Sequence, residues 1–586
     1  MYTTNGEIAE SNQKRRISWL LIVMGVAGLY VAGHLVVWQI FAPAGKLSAL
    51  ASTSAELPAV RGTIVDRGGH ALVLSDVRYE VSVTPRLLAT AQIDRLIPEL
   101  VRIFNKSEAE LKQVITSTNQ AAYVELGRDL DPQVKADLDE LESRLLADPT
   151  PSARFGLDAF AIVPSPVRVY PEGSLAAQVL GLITKDGDKT GLELRYDAVM
   201  SGRAGQRSSK TGSLLGQGGG YIPVEDGATL VLTIDRNLQA EAERLLAVAV
   251  EASKAKRGTV IILDASSGAL LTLANAPSYD PGAWKTWSGL DPSVFNNMAV
   301  SSPFEPRATQ MPLTLAAALE ANVITAGMTY QDFGSLMVGN QRFVNWDENR
   351  TANGTVTSIT DTVVTSRIYG TAYIGSLMGP ACFYEMIRRM GFGEPTGIDL
   401  PAEQTGEMPL PGAENWSLAF LGMNAIGRSL TVTPLQLASA YGMLANGGEL
   451  MRPYIVAEQR GAETVVTEPF KVRRVITPEH AATISNMLAE AVEKSEAGPV
   501  LPGYRFAGFS SLTGIPGTDN LPRGWLTSAY VGYGPLPNER YVILVWIDDP
   551  QEVYFGKDVA QPVFRELAAY LVNYMALASS AAEVSQ

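Results

Sequence analysis

A long apolar run near the N-terminus constrains this chain more than any other feature. Residues 17–41 contain no Asp, Glu, Lys or Arg over 25 positions. As a helix rising 1.5 Å per residue, this run would be about 37 Å long, which is enough to cross a hydrocarbon layer of about 30 Å. We therefore predict a single transmembrane helix at residues 17–41, preceded by a cytoplasmic tail at residues 1–16.

The residues flanking the run predict its orientation. Lys14, Arg15 and Arg16 come directly before it, and positive charge favours the cytoplasmic side of a membrane. A cleaved signal peptide is the alternative, but its apolar region is usually only about 7–15 residues long. We therefore expect a single-pass protein of the plasma membrane, with a cytoplasmic N-terminus and an extracytoplasmic main body.

Composition excludes several classes of function. The 586 residues carry a formal net charge of −14, which disfavours nucleic-acid binding. Cys382 is the single cysteine, so the chain can form no internal disulfide and no cysteine-based zinc or iron–sulfur site. Three histidines make a multi-histidine metal site improbable. We expect no metal and no cofactor, because the sequence also lacks phosphate-loop and dinucleotide-binding fingerprints.

Hydrophobic patterning predicts an α+β fold. Residues 61–69 (RGTIVDRGG) are typical of two short strands joined by a Gly-Gly turn. Residues 92–147 have helical spacing, and the Gly/Ser-rich residues 202–224 are typical of an exposed loop.

From residue 226 onward, strand and helix patterns alternate. A sheet of early and late strands with helices between them is an α+β arrangement. The predicted elements are a strand at 229–235, a helix at 237–252, a hairpin of 258–264 with 269–274, strands at 526–533 and 540–547, and a helix at 560–577.

Seven segments, in order along the chain, resemble class B penicillin-binding proteins, the membrane-anchored transpeptidases of bacterial peptidoglycan synthesis. They are RGTIVDRGGHAL, VYP with GLELRYDAVMSGRAG, VLTIDRNLQAEAERLL, GTVIILDASSGALLTLANAPSYDP, FGEPTGIDLPAE, TVTPLQLASAYGMLANGG and SAYVGYGPLPNERYVILVWID. The resemblance implies an elongated pedestal domain of the dimerisation type at 42–225, a transpeptidase-like domain related to serine β-lactamases at 226–577, and a tail at 578–586.

The family's first catalytic motif, Ser-x-x-Lys, is altered. In that motif a nucleophilic Ser lies one helical turn before a Lys, so both side chains share one face. The flanking segments NNMAVSSPFEP and PLTLAAALE fix the register and place Ala308 at the Ser position and Met311 at the Lys position. A methyl group cannot attack a carbonyl carbon, and a thioether cannot hold a proton.

The second and third motifs are altered as well. The family's Ser-x-Asn corresponds to Ser366 and Ile368, so the Ser is kept and the amide is lost. The family's Lys-Thr-Gly corresponds, without a gap, to Phe509, Ser510 and Ser511. A shifted register would match residues 512–514 (LTG) instead, and the cation is missing in either register.

These losses predict a transpeptidase homologue without catalysis. We expect a scaffold or regulator of cell-wall synthesis whose partners are membrane proteins, such as a polytopic glycosyltransferase or other division or elongation proteins. Two alternatives remain. One is an active D,D-transpeptidase with Ser366 as a relocated nucleophile. The other is a muropeptide-binding sensor, with peptidoglycan as its ligand. The sequence assigns no substrate-binding residues.

Overall fold

The computed structural model describes most of the chain. The described residues are 59–116, 123–149, 157–184, 186–205, 222–283, 286–287, 289–347, 353–414, 416–511, 526–538, 540–551 and 555–579, with residues 19, 24–26, 28 and 30 and the backbone alone of 52–57, 206–210 and 221. The predicted membrane span therefore lies almost wholly outside the described residues. Among the residues described, no helix has both the length and the apolar character needed to cross a bilayer.

The described residues form twenty-one strands. They are β1 Ser52–Leu57, β2 Ile64–Val65, β3 Ala71–Val83, β4 Val124–Leu130, β5 Phe160–Val169, β6 Gly205–Lys210, β7 Tyr221–Ile222, β8 Thr229–Leu232, β9 Arg257–Asp264, β10 Leu270–Ala276, β11 Thr329–Asp332, β12 Ser335–Val338, β13 Gln341–Val344, β14 Thr355–Ser358, β15 Glu449–Met451, β16 Val456–Arg460, β17 Thr464–Val466, β18 Lys471–Arg474, β19 Arg505–Ser510, β20 Thr527–Leu536 and β21 Tyr541–Asp548.

The helices described after residue 59 alternate with these strands. They are α1 Thr90–Phe104, α2 Glu108–Thr116, α3 Pro132–Ala147, α4 Ala177–Leu180, α5 Gly191–Arg195, α6 Asp197–Met200, α7 Arg236–Ala252, α8 Met298–Ser301, α9 Met311–Glu320, α10 Ile359–Val364, α11 Ile368–Arg389, α12 Leu418–Ala425, α13 Pro434–Ala445, α14 Pro478–Glu493 and α15 Ala560–Tyr574. Short 3₁₀ helices lie at Pro85–Leu87, Pro292–Phe295 and Arg307–Gln310.

A five-stranded antiparallel sheet forms the centre of the C-terminal half, in the order β10-β9-β21-β20-β19. The hairpin predicted at 258–274 is confirmed as β9 and β10, and the two late strands complete the sheet. The prediction of a sheet made from early and late strands is therefore confirmed.

Helices cover both faces of this sheet. Alternate residues of a strand point to opposite sides, so neighbouring residues of β9 belong to different hydrophobic clusters. On one side, Val260 and Ile262 belong to a hydrophobic cluster with Leu238 of α7 and Phe564 of α15. On the other side, Ile261 packs in the larger cluster that also contains residues of α9 and α13. The sheet is therefore buried on both faces.

A seven-stranded sheet joins distant parts of the sequence, in the order β17-β16-β8-β2-β3-β4, with β5 also paired to β3. The pair β2 and β8 is parallel, and it places residues 64–65 beside residues 230–231. The N-terminal pattern at 61–69 does form two strands around the turn at Gly68 and Gly69, but the second strand continues to Val83. The helical prediction for 92–147 was wrong at Val124–Leu130, which pairs with β3.

The chain divides into two compact units, residues 1–59 with 203–225 and residues 60–202 with 226–586. The first unit contains the sheet β1-β6-β7. The prediction of a loop over 202–224 was therefore wrong at Gly205–Lys210 and Tyr221–Ile222, because these segments pair with each other as strands.

Within the second unit, a buried ionic cluster joins three segments of the predicted pedestal domain. The completely buried carboxylate of Glu193 accepts hydrogen bonds from Arg61 Nε at 2.6 Å and Arg168 Nε at 2.7 Å. Arg61 also contacts Asp197 at 2.5 Å. Burial of these charges is compensated because each has an opposite charge and hydrogen-bond partners beside it.

Candidate functional site

The two positions predicted for the first motif, Ala308 and Met311, lie at the start of α9. Residues Arg307–Gln310 form a single 3₁₀ turn that leads into α9, and the main-chain N–H of Met311 donates to the carbonyl oxygen of Ala308. Side chains three residues apart eclipse each other in a 3₁₀ turn. Ala308 and Met311 therefore share one face, the relation that a Ser-x-x-Lys pair requires.

The side chains on this face are buried and carry no reactive group. Ala308 is 6% exposed and Met311 is 3% exposed, and both belong to the large hydrophobic cluster. A methyl group and a thioether supply neither a nucleophile for acyl transfer nor a base to activate one. The two positions that the sequence predicts for this motif therefore carry an apolar pair.

The first residue of this turn is held in an unusual backbone conformation. Arg307 has φ +49°, and its N–H donates to the carbonyl oxygen of Gly427 at 2.8 Å. A Cβ atom on Gly427 would lie 2.2 Å from the carbonyl oxygen of Arg307. The glycine therefore permits the close approach of the two backbones that fixes the turn.

Thr309, the hydroxyl-bearing neighbour of Ala308, is engaged elsewhere. Its side chain is fully buried and its hydroxyl donates to the carbonyl oxygen of Pro306 at 2.6 Å. The Thr309 carbonyl in turn accepts a hydrogen bond from the Tyr441 hydroxyl at 2.8 Å. Burial raises the pKa of Tyr441 well above its usual value, so this phenol stays protonated and offers no base.

The second motif occupies the turn between α10 and α11. Ser366 has φ +50°, and its N–H donates to the carbonyl oxygen of Val363 at 3.1 Å. Ile368 begins α11 and packs, half-buried, against the same hydrophobic cluster as Ala308. The Ser predicted for this motif thus lies in a left-handed turn, and the position predicted for the amide carries an aliphatic side chain.

Three consecutive residues that the sequence did not indicate hold this turn in place. The Asn345 side-chain oxygen accepts from the Tyr369 N–H at 2.9 Å, and the Trp346 indole N–H donates to the Thr365 carbonyl at 3.3 Å. Asp347 forms an ion pair with Arg367. These residues lie about 20 positions before the turn, so no local pattern in the sequence connects them to Ser366.

Arg367 belongs to a buried polar cluster and is not a free cation. Its Nε lies 4.0 Å from a carboxylate oxygen of Asp332, in addition to the ion pair with Asp347. The Asn345 amide donates to both Asp332 oxygens, at 2.9 and 2.8 Å. The charge at the middle position of the second motif is therefore neutralised by the fold.

The third motif lies on the edge strand β19. Phe509 pairs with Val531 of β20 and is buried, and β19 contacts the 3₁₀ turn that carries Ala308. The Ser511 hydroxyl accepts a hydrogen bond from the Ala529 N–H at 2.8 Å and is buried. The half-buried Ser510 lies between them. The shifted register at residues 512–514 falls outside the described residues.

The structure therefore brings the first and third motif positions together, and it places the second beside α10 and α11. Ala308, Met311 and Phe509 are buried in one hydrophobic cluster, with Ile368 packed against it. Within the described part of the chain, no group of three or more His, Cys, Asp or Glu side chains is arranged to hold a metal ion.

Comparison with known families identifies both halves of the chain. Residues 56–232 match the penicillin-binding protein dimerisation domain, and residues 258–569 match the penicillin-binding protein transpeptidase domain. This chain belongs to the class B penicillin-binding proteins, a family of peptidoglycan-synthesis transpeptidases in which these two domains follow one another. The resemblance read from the sequence is confirmed at this level.

Individual relatives and structures agree with the family assignment. The chain is 30% identical over 556 residues to penicillin-binding protein PbpB of Mycolicibacterium smegmatis, covering 88% of this chain and 83% of that protein. It is 27% identical to a probable peptidoglycan D,D-transpeptidase, PbpC, of Pseudomonas aeruginosa, covering 97% of each. The fold matches a peptidoglycan synthetase of Bifidobacterium adolescentis with a TM-score of 0.70, at 23% identity, over 90% of this chain and 98% of that one.

Proposed function

We propose that this protein is a catalytically inactive member of its family and acts by binding, as a scaffold or regulator of a cell-wall synthesis complex. The observation that carries the proposal is the apolar pair of Ala308 and Met311, which stand three residues apart on one face of a turn. Its backbone keeps the spacing of a nucleophile and its helper, while both side chains are apolar and buried.

Three hydroxyl-bearing residues described at the predicted motif positions, Thr309, Ser366 and Ser511, have no evident base beside them. Thr309 donates to a backbone carbonyl, and Ser511 accepts from a backbone N–H. Ser366 stands next to Arg367, which is paired with Asp347. A serine needs an adjacent base or a lowered pKa to attack a carbonyl carbon, so these contacts support an inactive protein.

We further propose that the protein is anchored by a helix at residues 17–41, with its main body outside the cytoplasm. The charge-free apolar run and the basic triplet at residues 14–16 support this topology. In this setting the partners are membrane proteins of cell-wall synthesis, such as a polytopic glycosyltransferase.

Covalent labelling with a fluorescent penicillin tests the proposal. The full-length protein, purified in detergent, is incubated with the reagent beside an active class B relative. We expect a labelled band for the relative and none for this protein, because acylation needs the missing nucleophile. A stoichiometric adduct that survives denaturation would overturn the proposal.

Two variants separate the alternatives if an adduct forms. Loss of the adduct in Ser366→Ala, with retention in Ser510→Ala, would assign catalysis to a relocated serine. Calorimetric titration with a peptide ending in D-Ala-D-Ala tests the sensor alternative. Saturable binding without an adduct would favour a sensor, and absence of heat would favour the scaffold.

A further inference from the structure

An apolar groove lies between α7 and α15. These two helices cover one face of the central sheet, and Ala308 lies on the opposite face. The groove encloses about 250 Å³. Because strand side chains alternate between faces, the five-stranded sheet separates this groove from the motif positions. A ligand in the groove can therefore bind without contacting the predicted motif positions.

Both helices contribute a regular face to the groove. Helix α7 contributes Leu245, Val248, Ala249 and Ala252, which lie three and four residues apart and so share one side of the helix. Leu245 is buried and forms part of the floor, while Val248 is 57% exposed and forms part of the wall.

The opposite wall alternates acidic and apolar positions. Asp558, Pro562 and Glu566 lie four residues apart and are exposed, and the buried Val563 lies beneath them. None of the described residues that line the groove is a Lys or an Arg. The groove therefore combines an apolar floor with two carboxylates on one rim. Glu566 lies on α15, and Asp558 lies in the turn that leads into this helix.

Two cations whose charges interact with these carboxylates are paired with other side chains. Arg244, which lies close enough to Glu566 to feel its charge, is paired with Glu241 at 2.7 Å. Lys557, the neighbour of Asp558, is paired with Glu496 at 2.9 Å. The rim therefore presents negative charge that complements a cationic ligand.

We propose that this groove binds a basic amphipathic helix of a partner protein. Leucine-sized side chains of the partner fill the space between Leu245 and Val563. Two lysine or arginine residues about seven positions apart face Asp558 and Glu566, since seven residues span two helical turns. This surface is distinct from the pedestal and the membrane helix, and its occupancy does not depend on whether the protein is inactive.

A designed peptide tests the proposal on the full-length protein in detergent. The probe is a labelled, end-capped helical peptide of about fifteen residues, in which two lysines seven positions apart flank a pair of leucines on one face. We expect saturable binding by fluorescence anisotropy that weakens as salt is raised, because exposed charges are screened. Absence of binding, or equal binding of a matched peptide with glutamate in place of lysine, would overturn the proposal.

Variants then locate the binding site. Val248→Lys, which fills the groove and adds a cation, is expected to weaken binding about tenfold or more. Val466→Lys is the matched control, because Val466 is 54% exposed and lies on strand β17, which does not line the groove. Equal weakening by both variants, or by neither, would contradict the assignment.

A charge exchange completes the test. Glu566→Lys should reduce affinity for the lysine peptide and raise affinity for the glutamate peptide, whereas the exposed Glu463→Lys should do neither. Sedimentation of the protein alone examines a second copy of this chain as occupant. Self-association that Val248→Lys abolishes would replace the proposed partner with a homodimer and overturn the inference.

Discussion

The main-chain N–H of Met311 donates to the carbonyl oxygen of Ala308, so the two side chains stand one 3₁₀ turn apart on a single buried face. In the family's Ser-x-x-Lys motif this spacing brings an amine to a hydroxyl. Here the same spacing brings a thioether to a methyl group, and the turn contributes to core packing. The proposed loss of catalysis therefore concerns the side chains of this turn and not its backbone geometry.

Restoring the amine alone is expected to destabilise the fold. Met311→Lys would place an ammonium group where the side chain is 3% exposed in a hydrophobic cluster. We expect a loss of about 2 kcal/mol or more in the free energy of unfolding, because burying an unpaired charge is costly. Urea denaturation followed by tryptophan fluorescence measures this loss.

A second methionine provides the control for that substitution. Met337 on β12 is 57% exposed, so Met337→Lys should change the free energy of unfolding by no more than about 0.5 kcal/mol. If Met311→Lys were equally harmless, position 311 would have room for a charged side chain. That result would weaken the proposal that the protein is catalytically inactive.

Ser511 is expected to matter for stability and not for chemistry. Ser511→Ala would leave the buried N–H of Ala529 without its side-chain partner, at a cost of about 1–3 kcal/mol. The neighbouring Ser510→Ala should cost less, since Ser510 is half-buried and Ser511 is fully buried. Thermal unfolding of both variants decides this, and a larger loss in Ser510→Ala would contradict the assigned contact.

The buried carboxylate of Glu193 should be a principal determinant of stability. Glu193→Gln removes the charge that compensates Arg61 and Arg168, and breaking a buried ion pair costs about 3–5 kcal/mol. The exposed Glu463→Gln is the control and should be nearly neutral. Denaturant unfolding of the two variants checks this. A neutral Glu193→Gln would show that the two guanidinium groups find other partners.

The raised pKa of Glu243 is expected to make the stability of the protein depend on pH. Burial raises the pKa of Glu243 to about 7, and hydrogen bonds from Gln239 and the Ala176 N–H offset only part of that rise. The folded protein therefore retains a proton that the unfolded chain loses above about pH 4.5. The stability that this proton confers is complete below that pH and is lost as pH rises through 7.

The Glu243→Gln variant isolates this contribution. We expect its stability relative to the parent to rise by about 1–2 kcal/mol between about pH 5 and pH 8.5, because the amide never deprotonates. Glu241→Gln is the control: the hydrogen bond from Arg244 lowers the pKa of Glu241, so its effect should stay constant over this interval. Denaturation at the two pH values measures both, and a flat result for Glu243→Gln would show that Glu243 has an ordinary pKa.

Particular elements show how far the sequence could predict the fold. The hairpin of β9 and β10 and the strands β20 and β21 were predictable, because each is a run of apolar residues bounded by turn residues. Strand β4 was not, because VELGRDL alternates too weakly to indicate a strand and is ordered by its pairing with β3. Its conformation depends on a partner about 40 residues or more away in the sequence.

The sequence by itself determined the family, and it predicts which side chains stand at the motif positions. That prediction takes its register from the flanking segments, which place Ala308 and Met311 in the first motif. Tertiary structure decided which remaining polar groups are engaged. The pairing of Arg367 with Asp347 and of Ser511 with Ala529 joins residues 18 or more positions apart. Such contacts arise when packed elements bring distant backbone together, and no local periodicity encodes them.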